Sequence, residues 1–384
     1  MRIAPSLFAI GLLSRASLST AAQEVSLRPA RIEVATPKAP TPVVANGRRV
    51  LAYELHVTNL GPGALGFRQL DVFDGRPGGA QLATYRDSSL AELLEPAGSA
   101  MRATMRDPRK LEPGERTLVF LWLSLAPDSR PPATLRHRFL FDILDTADVR
   151  RDRGTRSALD SVFVSVSRED VPVVSAPLAG GEWVAASGPS NESSHRRALN
   201  ALAGKGWIAE RFAIDWNRVG PNGNTYHDDE HVNADYWSFG QQVHAVADGE
   251  VVAAIDTIDD HAPHGPTPPV TLANIAGNYV TIKIGPRRYA TFAHLKHGSV
   301  RVRVHQHVVR GDIVALVGNT GQSTAPHLHF QITDGSDVLA SEGIPFYLER
   351  FTFLGNAADF EENHHPTVVR RRDMPLENQV IGLP

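Results

Sequence analysis

An all-β chain of two domains is the fold class that the sequence predicts. The chain has 384 residues, which is long enough for two domains with cores of their own. Apolar and polar residues alternate through residues 50–59, which is the period of a strand buried on one face. Short apolar segments recur between glycine and proline residues, and the clearest helical pattern is short, at residues 89–95.

The overall composition excludes several classes of protein. The formal net charge is −3, so no strong positive field indicates a nucleic acid or an anionic membrane as a partner. No apolar run reaches the roughly 18 residues that a membrane-spanning helix needs. The chain contains no cysteine, which excludes disulfides, cysteine nucleophiles and thiolate metal sites. Any metal ion must therefore be held by imidazole and carboxylate groups.

The first residues of the chain predict export. Arg2 provides a short positive region, residues 3–13 form an apolar core, and residues 20–22 are small, as at a cleavage point. Residues 1–22 are therefore interpreted as a secretory signal peptide. The mature protein is expected in the periplasm, in the cell envelope or outside the cell.

Residues 26–170 are predicted to form an immunoglobulin-like β-sandwich. Segments with strand periodicity alternate there with turn residues, at 50–59, 111–125, 136–144 and 160–167. The histidines of this half, His56 and His137, are placed on the polar faces of their strands, so we expect them at the surface. No group of reactive side chains is concentrated here, and we interpret this half as a binding or spacing module.

The second half is predicted to be a separate domain. Residues 171–190 are rich in proline, glycine, serine and alanine and are interpreted as a linker. Residues 191–353 combine strand patterns with most of the histidines and form the predicted functional domain. Residues 354–384 are predicted to be a tail with a solvated run of arginines.

Two histidines near the end of this domain, His327 and His329, lie two residues apart in the segment "PHLHF". On a strand, residues two apart face the same side, so the imidazoles point one way while Leu328 and Phe330 point into the core. Two imidazoles on one face can bind one metal ion, or one can bind the metal while its neighbour contacts bound water. The alternative is a pair of exposed histidines on a sheet.

The flanking segments distinguish these alternatives. A series of segments follows one another along residues 211–332: "AIDW", "FGQQVHAVADGEV", "GNYVTIKIG", "TFAHL", "VVRGDIVALVGNTGQST" and "PHLHF". This ordered series resembles the lysostaphin-type zinc endopeptidases, a family of peptidoglycan hydrolases. The resemblance covers about a third of the chain and implies an antiparallel β-sheet peptidase domain. It also implies a catalytic zinc ion (Zn2+) held by two histidines and one aspartate, with a further position for water.

The resemblance assigns roles to four residues. Asp215 in "AIDW" and His329, the second histidine of "HLH", are similar to the family's zinc ligands. His294 in "FAHL" and His327 are similar to the histidines that do not bind zinc but serve the reaction. Such histidines can orient water, accept its proton and stabilise an oxyanion.

One position departs from the family pattern. A histidine usually precedes the aspartate by four residues, but Arg211 stands there, and a guanidinium cannot bind zinc. We interpret His195 as the third ligand, brought back to Asp215 by the segment that separates them. The alternative is that His195 belongs to a solvated basic segment.

Seven other histidines of this half are given no role in the site. Those of "HDDEH" have the spacing of a helical zinc motif, but the segment is interpreted as a solvated acidic loop bordering the cleft. The histidines concerned are His227, His231, His244, His261, His264, His305 and His307.

The function expected from this resemblance is that of an exported zinc metalloendopeptidase acting on the peptide part of peptidoglycan. Zinc would activate a water molecule to attack the peptide carbonyl. A second hypothesis is a peptidase fold that has lost catalysis and binds or regulates the cell wall, because Arg211 leaves two ligands if His195 cannot reach the metal. A third is a structural envelope protein that acts through its N-terminal sandwich.

Overall fold

The structure is a computed structural model that describes residues 28–98, 106–144, 156–221, 223–266, 269–359 and 367–384. The predicted signal peptide, residues 1–22, lies outside the described residues. The described part of the chain is almost entirely β-structure, which confirms the all-β prediction. Within it, no helix combines the length and apolar character needed to cross a membrane.

The N-terminal domain consists of short and long strands with one short helix. Its strands are β1 Arg28–Pro29, β2 Ile32–Ala35, β3 Val43–Ala45, β4 Arg48–Asn59, β5 Leu65–Asp74, β6 Gln81–Arg86, β7 Leu94–Pro96, β8 Lys110–Leu111, β9 Arg116–Leu125, β10 Thr134–Ile143 and β11 Arg156–Ser165. Helix α1 spans Asp87–Ala91. The helix predicted at residues 89–95 is cut short because Leu94 begins a strand that pairs with β9.

Two sheets of this domain pack face to face as a sandwich. One has the strand order β1–β11–β10–β5–β6, with β8 beside β5, and the other has the order β2–β4–β9–β7, with β3 beside β4. Alternation along β4 places Leu51, Tyr53 and Leu55 in the same buried cluster as Phe139 and Phe141 of β10. The domain core therefore lies between the two sheets.

The C-terminal domain contains the remaining elements. Its strands are β12 Val173–Val174, β13 Glu182–Ala186, β14 Asn200–Leu202, β15 Lys205–Trp207, β16 Ile214–Val219, β17 Gln242–His244, β18 Gly249–Ile255, β19 Asn278–Gly285, β20 Arg288–Leu295, β21 His307–Val308, β22 Ile313–Leu316, β23 Leu328–Thr333, β24 Tyr347–Asn356, β25 Val368–Asp373 and β26 Gln379–Gly382. Helix α2 spans Ser194–Arg197, and two 3₁₀ turns span Asn233–Asp235 and Ala357–Asp359.

One 11-stranded sheet organises this domain. Its order is β12–β24–β26–β13–β16–β23–β20–β19–β18–β21, with β25 beside β24, and every pairing is antiparallel except that of β12 with β24. Strands β14 and β15 form a separate hairpin, and β17 pairs with β22. The central strands bury large side chains, including Trp216, Phe292 and Phe330, which are all 0% exposed. A rigid, well-packed sheet therefore underlies the face that carries the histidines.

The structure corrects the predicted linker and tail. Residues 171–190 were predicted to be a linker but contain β12 and β13, and β13 pairs with both β16 and β26. Residues 354–384 were predicted to be a tail but contain β25 and β26, and β26 lies between β24 and β13 in the sheet. Both segments are short and rich in turn residues, so their strand character comes from pairing with distant strands.

The structure also corrects the predicted exposure of His56 and His137. His137 is 0% exposed because it lies on the core face of β10, where Nε2 is 2.6 Å from the Tyr53 hydroxyl. His56 is 7% exposed because the outer face of β4 is covered by the C-terminal domain. Ala52 on that face, for example, shares a buried cluster with Phe212. The two domains therefore bury part of the sandwich's polar face between them.

Candidate metal and catalytic site

The site is built on three neighbouring strands of the large sheet. Asp215 on β16 and His329 on β23 are register partners, so their side chains project from the same face. Nδ1 of His329 lies 3.0 Å from Oδ1 of Asp215. The next strand, β20, places Ala293 opposite His329, and His294 follows Ala293 as the next-to-last residue of the strand.

His195 reaches the site from helix α2. The chain leaves β13 at Ala186, the register partner of Asp215, and turns through residues 187–193 into α2. Nε2 of His195 then lies 3.3 Å from Oδ2 of Asp215. The His195 and His329 rings contact each other, with centroids 4.8 Å apart. The pairing of β13 with β16 thus returns the chain to Asp215.

The structure brings all five predicted site residues together. His195, Asp215 and His329 each offer a metal-ligand atom, and these atoms lie within 4.8 Å of one another. His327 contacts the same carboxylate, with Nε2 3.4 Å from Oδ1 of Asp215. The ring of His294 lies 4.9 Å from that of His327 and 5.9 Å from that of His329, measured between centroids.

Gln331 lies two residues after His329 on β23 and orients the His329 ring. Its Oε1 lies 3.0 Å from Nε2 of His329, while its amide nitrogen donates to the Val338 carbonyl at 2.9 Å. That second bond fixes the amide orientation, so Oε1 accepts and Nε2 of His329 carries the proton. Nδ1 of His329 is left with a free lone pair facing Asp215, the tautomer that a metal ligand requires.

Backbone carbonyls orient the other two histidines. Nδ1 of His294 donates to the Thr320 carbonyl at 2.8 Å, and Nδ1 of His327 donates to the Ala325 carbonyl at 2.8 Å. Each ring therefore presents Nε2 toward the site. His294 adopts φ 59°, a left-handed conformation that a non-glycine residue adopts at a cost in energy.

The lack of a side chain at Gly277 allows the Thr320 carbonyl to pack closely against the backbone. Gly277 has φ +61°, and a Cβ there would lie 2.4 Å from both the carbonyl oxygen and Oγ1 of Thr320. The Thr320 hydroxyl also donates to the Leu295 carbonyl and accepts from the Asn278 amide, both at 2.9 Å. The acceptor for His294 is thus built into a tightly packed loop.

The histidines of the site differ in the direction in which their pKa values are shifted. Burial, and after it the charge of His327, hold the pKa of His294 well below 6.5, so this ring is neutral. Burial also opposes charge on His195, but the Asp215 carboxylate outweighs it and raises the pKa of His195 to about 9. The pKa of His327 is raised for the same reason, against the effect of burial. Burial alone would raise the pKa of Asp215, yet His327 and His195 hold it well below its usual value.

These residues line a cleft of about 560 Å³. Glu210, Ile275 and Leu339 form other parts of its wall. The donor set of two imidazoles and one carboxylate, on a cleft open to solvent, fits a zinc ion with a position left for water or substrate. Nδ1 of His195 is buried without a hydrogen-bond partner among the described residues, so no acceptor fixes its tautomer.

Arg211, at the family's usual histidine position, points away from this cleft. Its guanidinium is 3% exposed and contacts Glu54 and Glu342, at 2.9 and 2.8 Å. Arg211 is therefore held in two buried ion pairs and does not line the cleft.

The other histidines lie elsewhere. His305 is 82% exposed, and His231 is 63% exposed. His227, Asp228 and Asp235 form a second group with metal-ligand spacing, but His227 and Asp228 are exposed. Sequence reasoning missed Gln331 and Thr320; the period-two spacing of Gln331 from His329 was the available signal.

Comparison with known proteins finds one segment that matches a described protein family. The model of peptidase family M23 matches residues 231–340. The match includes His294, His327 and His329, whereas His195 and Asp215 precede it.

Two curated relatives resemble a short part of the chain. The peptidoglycan DD-endopeptidase ShyA of Vibrio cholerae is 42% identical over 57 residues, which are 15% of this chain and 13% of the relative. An uncharacterized metalloprotease of Buchnera aphidicola is 40% identical over 57 residues, 15% of each chain. The matches thus span about a seventh of these relatives' length.

Solved structures show weak overall similarity. The catalytic domain of lysostaphin from Staphylococcus simulans is 21% identical and covers 32% of this chain and 90% of its own, with a TM-score of 0.21. A putative peptidase M23 from Pseudomonas aeruginosa is 13% identical and covers 83% of this chain and 92% of its own, with a TM-score of 0.26.

Proposed function

We propose, from the peptidase family M23 domain at residues 231–340, that this protein is a zinc metalloendopeptidase that hydrolyses peptide bonds in peptidoglycan. The observation that carries the proposal is the convergence of His195, Asp215 and His329, with donor atoms within 4.8 Å of one another on the wall of one cleft. The substrate is inferred from the relative named a peptidoglycan DD-endopeptidase. Such a substrate places the protein in the periplasm, the cell envelope or outside the cell.

The proposed ligands are Nε2 of His195, the Asp215 carboxylate and Nδ1 of His329. When bound, zinc supplies a Lewis acid that polarises the scissile carbonyl and makes water a nucleophile near neutral pH. His195 approaches Asp215 from outside the sheet, so it supplies the ligand that Arg211 cannot. Gln331 holds His329 in the tautomer that leaves Nδ1 free.

His294 and His327 are assigned the proton transfers. Because Nδ1 of His294 donates to Thr320 and its ring is neutral, Nε2 offers a lone pair that can accept a proton from the attacking water. His327, whose pKa is raised by Asp215, holds a proton at Nε2 that can stabilise negative charge on the carbonyl oxygen. Opposite pKa directions in adjacent histidines suit these two complementary roles.

The assignment is tested by zinc content and by hydrolysis together. Elemental analysis of the purified protein should give about one zinc per chain, falling sharply in His195→Ala, Asp215→Ala and His329→Ala. His294→Ala and His327→Ala should retain zinc but lose at least about 100-fold in the release of new amino groups from purified peptidoglycan. His305→Ala, at an 82% exposed position, is the matched control.

Two outcomes would redirect the proposal. Full zinc content in His195→Ala would mean that the third ligand lies elsewhere. Absence of zinc from the wild-type protein, even after reconstitution, would favour the alternative of a catalytically inactive cell-wall binding module.

A further inference from the structure

Helix α2 carries His195 toward the cleft. The residue after His195, Arg196, anchors this helix on the N-terminal sandwich. Arg196 is 0% exposed, and its Nη2 donates to the carbonyls of Tyr53 and Leu121, both at 3.1 Å. Its Nη1 lies 3.0 Å from Oε1 of Glu54, an ion pair without hydrogen-bond geometry. Adjacent residues of one short helix thus contact the metal site and the other domain.

Flanking residues strengthen this anchor. Asn191 donates from Nδ2 to the Phe120 carbonyl at 3.2 Å. Arg197 donates from Nη2 to the Glu92 carbonyl at 2.7 Å, and its guanidinium lies 5.0 Å from the centroid of the Phe120 ring. Side chains on both sides of His195 therefore bind the sandwich.

His195 has little support of its own. Helix α2 has 4 residues, too few for a helix to be stable without tertiary contacts. The ring contacts Asp215 and His329, while its Nδ1 has no hydrogen-bond partner in the described part of the chain. Asp215 and His329, by contrast, lie within paired strands of the large sheet. The position of His195 therefore depends on how α2 is held.

Glu54 is the centre of the buried contact that holds α2. Its Oε2 accepts from Nε of Arg211 at 2.9 Å, and Arg211 in turn binds Glu342 at 2.8 Å. Glu54, Arg196, Arg211 and Glu342 are each at most 3% exposed, and their two positive and two negative charges balance. Neutralising one member leaves a buried charge without its counterion, which strongly disfavours the docked arrangement.

We propose that Glu54 is a positioning residue for the metal site, and that docking of the N-terminal sandwich completes the site by holding His195 beside Asp215. The proposal rests on the proposed function, in which His195 is the third zinc ligand. It gives the sandwich a role inside the catalytic unit, because the large sheet alone supplies two of the three ligands.

Zinc affinity in a double-mutant cycle tests this coupling. The full-length Glu54→Gln, His195→Ala and double variants are titrated with zinc in competition with a chromophoric chelator. Residues that support a metal ligand typically contribute about 10- to 100-fold to affinity, so Glu54→Gln should weaken zinc binding by about that factor. In the His195→Ala background the same substitution should change affinity less than about twofold, because a positioning residue acts through the ligand.

The matched control is Asp71→Asn. Asp71 is a buried carboxylate of the same sandwich, 0% exposed and paired with Arg138 at 2.7 Å. Both residues lie in the sheet of β5 and β10, whereas Arg196 of α2 binds carbonyls of β4 and β9 in the other sheet. The Asp71→Asn substitution should lower the melting temperature of the metal-free chain without weakening zinc binding. If Asp71→Asn weakens binding as much as Glu54→Gln, the effect is general destabilisation and the proposal fails.

The remaining outcomes separate this inference from the proposed function. Wild-type zinc affinity in Glu54→Gln, alongside loss in His195→Ala, overturns the positioning role and leaves the ligand set intact. Unchanged affinity in His195→Ala overturns the ligand assignment and the inference with it. If Glu54→Gln does not fold, Arg197→Ala replaces it, since this side chain is 19% exposed and lies outside the buried charge group. Unchanged zinc affinity in Arg197→Ala would show that the anchor of α2 on the sandwich does not hold His195 in place, and would overturn the proposal.

Discussion

Oε1 of Gln331 lies 3.0 Å from Nε2 of His329, two residues away on the same strand. Both side chains are buried, at 1% and 4% exposure, so water does not compete for this contact. The amide therefore decides which imidazole nitrogen carries the proton and which faces Asp215. Mutation of such a partner behind a metal ligand typically costs about 10- to 100-fold in metal affinity.

Replacing Gln331 by leucine should weaken zinc binding about 10- to 100-fold, because His329 loses the acceptor that fixes its tautomer. Zinc titration against a chelator measures the change. Gln379→Leu is the control, since Gln379 is also buried, at 3% exposure, but accepts from the Leu376 amide on another part of the sheet. Equal zinc affinity in the Gln331 and Gln379 variants would contradict the role given to Gln331.

Gly277→Ala should lower kcat by at least about tenfold while zinc content stays near the wild-type value. The new Cβ would displace the Thr320 carbonyl, from which it would lie 2.4 Å, and His294 would lose the acceptor for its Nδ1 proton. Steady-state hydrolysis and elemental analysis measure the two effects.

Gly298→Ala is the control for Gly277→Ala. Gly298 also has positive φ, +72°, but a Cβ there meets no atom within 4 Å. Both variants carry the backbone cost of alanine at positive φ. A similar loss of kcat in both would show that backbone strain, and not displacement of Thr320, is responsible.

Acid should destabilise the N-terminal sandwich through His137. Burial lowers the pKa of His137 from 6.5 to about 4, so the unfolded chain takes up a proton at a higher pH than the folded chain. The stability that this residue contributes is therefore present above pH 6.5 and is lost as pH falls toward 4. A depression of this size corresponds to about 3 kcal/mol.

Urea unfolding of wild type and His137→Gln at several pH values measures this dependence. The variant should show a smaller loss of unfolding free energy between neutral pH and pH 5, because glutamine does not titrate. His56 has a pKa of about 4 for the same reason and keeps part of the dependence in the variant. An unchanged pH dependence in His137→Gln would show that other groups cause it.

Zinc should stabilise the folded chain by mass action. At a free zinc concentration of about 100 times the dissociation constant, the gain is about 2.7 kcal/mol. Thermal unfolding with added zinc or with a chelator measures it. His329→Ala should show no such shift, whereas His305→Ala should shift as the wild type does. A shift in His329→Ala equal to that of wild type would point to zinc bound outside this site.

The sequence by itself determined the local features of this protein. The period of two in "PHLHF" predicts that His327 and His329 share a face, and that face is where both rings meet Asp215. The long strands β4 and β9 follow from their own sequences, β4 from its apolar alternation and β9 from its apolar run after a turn. These features depend on neighbours along the chain, which periodicity and turn residues report directly.

Only the tertiary structure decided which distant groups meet. From the sequence, His195 could be a third ligand or a residue of a solvated basic segment. The structure brings it to Asp215 because β13 pairs with β16 and because Arg196, the next residue, is anchored on Glu54. The strands in the predicted linker and tail likewise depend on pairing with distant strands. Glu54 and His56 lie on a strand face that alternation predicts to be polar and exposed, yet the second domain covers it. Burial between domains and long-range strand pairing are not encoded in local periodicity, so only the assembled fold determines them.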